Sequence, residues 1–266
     1  MLLSNTTDYR VDCFPGSVLQ CLFDWLPGSQ SLKLFRTPQR MHVPWRKRIS
    51  RAIRGRFRTS VLSNHGIGIA ASTKNGLLDV DPGDFNVSRS LLHSGSYDWP
   101  DVCLLSRLVD QQSRLVFVGA HIGGLLIPIA LRSGARNIVA FEPSPQNHKL
   151  LKINLSLNGL THGVVHHAAA GDRAGQIRFT QNKINSGNSR IAESGEIAVQ
   201  VTTLDEALAP DQTAIDLMVM DVEGFEVHAI RGGLATLART RYFYVEYAPE
   251  QLAEQKSSPA EFIEGY

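Results

Sequence analysis

With 266 residues, 43 % of them hydrophobic, the chain can build one large α/β core with an appendage and needs no second catalytic domain. A net charge of +2 and a pI near 8.5 exclude the strongly basic balance of a nucleic-acid binder. Three scattered cysteines, Cys13, Cys21 and Cys103, with no CxxC pair, argue against a disulfide framework and for a reducing, cytoplasmic setting.

Residues 1–63 read as an irregular, partly helical leader. It opens without a charged leader before an apolar core, and no run in the chain approaches the ~20 apolar residues of a membrane span. Beyond the apolar segment Val18 to Leu26, WRKRISRAIRGRFR from Trp45 to Arg58 concentrates positive charge around Ile and Phe. A solvated basic helix or flexible leader is the plain reading of 45–58. Weak peripheral contact with anionic lipid, or contact with an acidic acceptor, is the other.

Residues 64–110 read as a cap across the mouth of the main sheet, with a DPGD turn at Asp81 to Asp84. Val102, Leu104, Leu105 and Leu108 have the spacing of a helix entering the fold.

The core, 111–266, opens on LVFVGAHIGG, an apolar strand running into a glycine turn. Pro128 lies in the helix that follows and predicts a kink or a late helix start. Ile138 to Phe141 is the second strand, and Glu142 ends it. VVHHAAAGD (Val164 to Asp172) supplies a third strand, IDLMVMDVEGFE (Ile215 to Glu226) a fourth and YFYVEY (Tyr242 to Tyr247) a fifth, with a helix starting at Pro259. Strands alternating with helices predict a doubly wound, mostly parallel, Rossmann-like α/β sheet. No further strand follows the fifth, so the pattern predicts a sheet lacking its final edge strands. That would expose strand five and lead to poor stability or pairing with another chain.

The chemistry lies at the carboxyl ends of these strands, where open α/β sheets bind ligands. Gly119 and Gly123 permit a tight turn. Glu142, roughly 20 residues beyond it, is placed to accept both hydroxyls of an adenosine ribose. The middle glycine of a pyrophosphate-binding GxGxxG is replaced by His121, which disfavours close pyrophosphate contact and favours a ligand without phosphate, such as S-adenosylmethionine. Asp221, Glu223 and Glu246 are the candidates to take a proton from an acceptor hydroxyl, Asp221 first. Asp221 and Glu223 could instead cap the following helix. Two adjacent carboxylates could hold a divalent ion, but no third ligand is visible, and neither the cysteines nor His166 and His167 show zinc spacing, so no metal is assigned.

Taken in order, VGAHIG, FEP, LLKINLSLNGL, AAAGD, TLDEAL and DVEGFE resemble the FkbM family of S-adenosylmethionine-dependent methyltransferases over about Gly76 to Pro249. The resemblance implies a class I methyltransferase fold and methyl transfer to an oxygen of a sugar, other glycan or secondary metabolite. It implies a cofactor pocket of Gly119, Ala120, His121, Gly123, Glu142 and Pro143, with Asp172 placed either to meet the adenine amino group or as an ordinary β-turn aspartate in GDRAG. Ser186, Asn188 and Ser189 fall in a polar loop near the acceptor or the methionine tail. Three residues depart from the family pattern: Phe117 stands in place of Asp, His121 of Asn and Val219 of Lys. Two other readings remain: a catalytically impaired module that binds or regulates, and a fold holding NAD or another adenosine ligand, which the missing glycine and the DVEG element disfavour.

Overall fold

The computed structural model describes the backbone of residues 19–26 and 29–35, and residues 68–182, 186, 189–191, 194–255, 257 and 261. The basic stretch 45–58, Asn188 and most of the helix expected from Pro259 lie outside the described residues. No helix among the described residues is long and apolar enough to cross a membrane.

Buried parallel strands need apolar residues on both faces, and the core strands have them. β5 (Arg114–Val118) is buried along its whole length. It pairs in parallel with β6 (Asn137–Phe141) and with β12 (Ile215–Met220). β6 continues to β7 (Val164–His166), and β12 to β13 (Thr240–Tyr247). Leu115, Phe117, Leu217 and Val219 point to one face. There they pack on α1 (Val87–Ser94), α2 (Trp99–Leu105), α3 (Leu126–Ser133) and α4 (Pro145–Leu157). Val116, Val118, Met218 and Met220 point to the other. Their partners are α5 (Leu204–Ala207), α6 (Glu226–Arg231), α7 (Leu234–Leu237) and α8 (Pro249–Glu254). The doubly wound sheet is therefore as the sequence predicts.

α3 starts late, as Pro128 requires. The proline occupies the first turn, where its missing N–H has no intrahelical partner to lose, and Ile127 N–H donates back to Gly123 at 3.0 Å. A smaller sheet of β8 (Ala169–Ala170), β9 (Gly175–Thr180), β10 (Arg190–Ile191) and β11 (Ile197–Thr202) runs in the order β10-β9-β11-β8 beside the main one.

The cap is a hairpin, β3 (Ile69–Thr73) and β4 (Gly76–Val80), followed by α1 and α2. Buried amides bolt it on. Asn75 Nδ2 donates to Tyr97 O (2.8 Å) and Gly124 O (2.7 Å), and Asn154 Nδ2 to Asp79 O (3.0 Å) and Ile122 O (2.9 Å). Each joins the cap to the glycine turn.

No strand follows β13 among the described residues, yet the edge is not bare, and the expected exposure of strand five is corrected. β1 (Leu19–Leu26) pairs antiparallel with β13, and β2 (Ser29–Phe35) pairs antiparallel with β1. The main sheet thus runs β2-β1-β13-β12-β5-β6-β7. β1 and β2, from a stretch assigned from sequence to an irregular leader, supply the edge strands from the opposite end of the chain. They satisfy the β13 backbone groups that would otherwise be left open. Because β1 is paired on both sides, Leu22→Pro removes a ladder hydrogen bond wherever its N–H points. It is expected to lower unfolding stability by about 2–4 kcal/mol in urea titrations. Unchanged stability would show that the hairpin does not secure β13.

Candidate active site

Four strands, β5, β6, β12 and β13, end at one level, and there a cavity of about 280 Å³ opens. That is close to the lower size of small-molecule sites. The turn after β5 is held by Phe141 O, which accepts from Gly119 N–H and Ala120 N–H, both at 3.0 Å. Asp221 N–H donates to Val118 O at 3.0 Å, bringing the end of β12 beside it.

Glu142 is 4 % exposed and lines the cavity. One oxygen accepts from His121 N–H at 2.8 Å, the other from Ser144 N–H at 2.9 Å. Burial pushes its carboxyl up to about 7, against the pull of these donors. His121 sits in the left-handed region at φ 51° with its Nε2 2.8 Å from Ser186 Oγ. Burial pushes its imidazole down to about 4, so the ring is neutral. Ser186 N–H donates in turn to buried Asp84 at 3.0 Å.

At the other end Asp221 and Glu246 hydrogen-bond to each other. Asp221 is solvent-accessible, yet protein surrounds it, as at the floor of a cleft. The Asp221 charge, with burial, holds Glu246 far above the usual carboxylate range, so the pair keeps one proton between them at neutral pH. Glu223 lines the same end at φ 54° and accepts from Gln251 Nε2 at 2.5 Å.

Ala120 and Pro143 also line the cavity, as do Ser186 and Ser189. Gly123 does not. At φ 88°, with no room for a Cβ beside Ile127, it shapes the turn from behind. Asp172 is a correction: the chain leaves the main sheet after β7 to pair β8 with β11, so Ala168 to Ala170 reach the cavity instead. Asp172 lies at the surface, 3.7 Å from His228 Nδ1. The N-cap of α6 is Phe225, whose side chain makes no cap bond.

Several participants escaped sequence reasoning. Glu226 is buried and accepts from Val222 N–H (3.1 Å) and Gly224 N–H (3.2 Å), fixing the turn that carries Asp221 and Glu223. Its place in DVEGFE is the signal that could have found it. Tyr97 and Asp98 enter from the cap, and burial raises Asp98 to about 6. Among the described residues, the non-glycine residues with positive φ are Asp98, His121 and Glu223, and all three line the cavity. Such backbone costs of order 1–3 kcal/mol each and concentrates at working sites. No group of three or more His, Cys, Asp or Glu among the described residues is arranged to hold a metal ion.

Residues 118–264, more than half of the chain, match the Methyltransferase FkbM domain. The chain belongs to that family. Over 84 residues it is 37 % identical to the 2-O-methyltransferase NoeI of Sinorhizobium fredii, covering 31 % of this chain and 34 % of that protein. It thus spans about a third of the relative's length. Solved structures give distant likenesses. An S-adenosylmethionine-dependent O-methyltransferase from Thermotoga maritima is 12 % identical, with 93 % of this chain and 76 % of that one covered and a TM-score of 0.39. Methanocaldococcus jannaschii Trm5 in complex with adenosine is 15 % identical, with 79 % and 53 % covered and a TM-score of 0.34.

Two departures from the family pattern turn out to be one. Phe117 and Val219 face each other across β5 and β12, both buried. Asp and Lys, which the resemblance puts at these places, would face each other as an ion pair, and here both positions are apolar. Phe117→Asp alone is expected to cost about 3–5 kcal/mol, the penalty of an uncompensated buried charge. Adding Val219→Lys should give a coupling of at least ~1 kcal/mol in a double-mutant cycle, whereas strictly additive costs would contradict the opposition.

Glu142 also makes the free protein pH-sensitive. Its folded pKa is raised, so its contribution to stability is full below the unfolded value of 4.5 and lost as pH rises through about 7. Glu226, also raised to about 7, acts in the same direction. Unfolding free energy is expected to fall by roughly 1–3 kcal/mol between pH 5 and 8, and Glu142→Gln should flatten that slope.

Proposed function

We propose that this chain transfers the methyl group of S-adenosylmethionine to a hydroxyl of a sugar or secondary metabolite. The observation that carries the reading is Glu142, a buried carboxylate on the cavity wall at the end of the second core strand, locked by two backbone donors and able to accept further hydrogen bonds.

The residues fit the cofactor. Glu142 would hold the ribose hydroxyls. The absence of a Cβ at Gly119 leaves the turn free to come close, and Phe141 and Ala168 to Ala170 offer an apolar wall for adenine. S-adenosylmethionine would supply a methyl group made electrophilic by its positive sulfur. The chain's own work is to orient and deprotonate. Asp221, at the cavity floor, is placed to take the acceptor's proton, and Glu246 beside it shares the charge that Asp221 carries between turnovers. Cap residues Tyr97 and Asp98 complete the cavity wall. Holding both reactants in one small cavity accounts for much of the acceleration such a site needs.

Calorimetric titration of S-adenosylmethionine into the full chain tests this. Saturable binding is expected, weakened about 10- to 100-fold by Glu142→Ala. Since ribose hydroxyls favour the ionised carboxylate, affinity should rise as pH passes upward through about 7. No binding by a folded sample would overturn the reading.

A further inference from the structure

The opposition of Phe117 and Val219 leaves one departure unexplained, His121 in place of Asn, and this residue touches two regions at once. Its N–H donates to Glu142 at 2.8 Å, and its ring Nε2 lies 2.8 Å from Ser186 Oγ, 65 residues further along the chain. The backbone is left-handed at φ 51°, a region that Asn and His enter more readily than most residues. An Asn would keep that backbone. Its side chain ends well short of the position of Nε2, so the bond to Ser186 depends on the histidine.

From Ser186 the bonding continues into the cap. Ser186 N–H donates to Asp84 Oδ1 at 3.0 Å, and Asp84 Oδ2 accepts from Ser88 N–H at 2.7 Å, in the first turn of α1. Asp84 is buried. Burial opposes its charge, yet the donors from Ser88, Ser186 and Asn86, with His121 nearby, hold its carboxyl below the usual value. Asp81, at the head of the same DPGD turn, makes a second and separate tie. Its Oδ2 accepts from Gln146 Nε2 at 2.6 Å, and Gln146 Oε1 accepts from Gln181 Nε2 at 2.9 Å, just beyond β9. Ser186 lines the cavity, and α1 leads on to Tyr97 and Asp98 in its wall.

Glu142, His121, Ser186 and Asp84 thus stand in one hydrogen-bonded row from the ribose end of the cavity to the cap. When ribose hydroxyls hold Glu142 ionised, the bond it accepts from His121 N–H becomes charge-assisted and stronger. A turn residue so held keeps its ring on Ser186, and linked bonds of this kind reinforce one another. Binding at one end then reduces the freedom of the other, which couples two regions without a change of shape.

We propose that His121 is a positioning residue that couples the two parts of the cavity: cofactor held on Glu142 fastens Ser186 and the cap through it, so the rest of the wall is ordered for the acceptor once the cofactor is in place. This rests on the methyltransferase reading of the site.

Hydrogen exchange of the full chain, followed by mass spectrometry, reads the coupling without knowledge of the acceptor. Each protein is measured free and with S-adenosylhomocysteine at a concentration that saturates it by its own calorimetric Kd. In the wild type the ligand is expected to slow exchange about ten-fold in peptides spanning 84–94, and in His121→Asn that slowing should fall to about two-fold or less while slowing at the glycine turn remains. Ser186→Ala, which keeps the N–H on Asp84 and loses the hydroxyl, should behave like His121→Asn and stands in for it if that variant fails to fold. Ser186→Thr, which keeps a hydroxyl, should retain the wild-type response. A merely structural role would raise exchange in the free variants and leave the ligand-induced slowing as it was. No slowing over 84–94 in the wild type, or the same slowing in the wild type and in the variants without the bond, would overturn the proposal. The two readings fail distinguishably. Ligand binding with protection confined to the glycine turn removes the coupling alone, and no binding by a folded chain removes the methyltransferase reading and the coupling with it.

Discussion

At Gly119 two strand ends come so close that no other residue fits. A Cβ there would lie 1.8 Å from the Asp221 carbonyl oxygen, and the backbone is left-handed at φ 80°. With the bonds to Val118 O and Phe141 O, this contact brings β5, β6 and β12 to one level. Glu142 and Asp221 owe their common cavity to that backbone closeness and would separate if the turn opened. The site is therefore set by main-chain hydrogen bonds and a missing methyl group, with side chains added onto a fixed frame.

On that frame the chain concentrates groups that are costly elsewhere. Left-handed Asp98, His121 and Glu223, and the raised carboxyls of Glu142, Glu226 and Glu246, lie at or beside one cavity. Strain and buried charge of this kind persist only where surrounding structure holds them. Here the holding is done by the apolar layers on both faces of the sheet and by Asn75 and Asn154, which fasten the cap. The opposed Phe117 and Val219 belong to the same logic. They remove one charge of each sign from the sheet beneath the cavity, so the two departures need not be read as decay of the site.

The sequence made the interior of the sheet readable because buried parallel strands are apolar runs and their turns carry glycine, as in Val116 to Gly119 and Ile215 to Gly224. Pro128 announced the late start of α3 for a purely local reason. What could not be read was set by distance along the chain. β1 meets its partner β13 more than 200 residues along the chain, and β2 joins the sheet only through β1, so no local pattern in Leu19 to Phe35 tied this stretch to the main sheet. Tyr97 and Asp98 reach the cavity through Asn75, a contact that no spacing encodes. Asp172 misled because its GDRAG context looks the same whether the chain stays in the main sheet or leaves it, and the departure of β8 to pair with β11 is a tertiary event.

The central claim is that one end of this cavity reads a ribose through Glu142 and the other faces the reacting methyl group with Asp221 and Glu246. A crystal structure of the full chain with S-adenosylhomocysteine tests it most directly. The account predicts both ribose hydroxyls within hydrogen-bond distance of the Glu142 carboxylate and the thioether sulfur turned toward the Asp221–Glu246 pair. A ligand seated elsewhere, or in the cavity with its ribose away from Glu142, would contradict it.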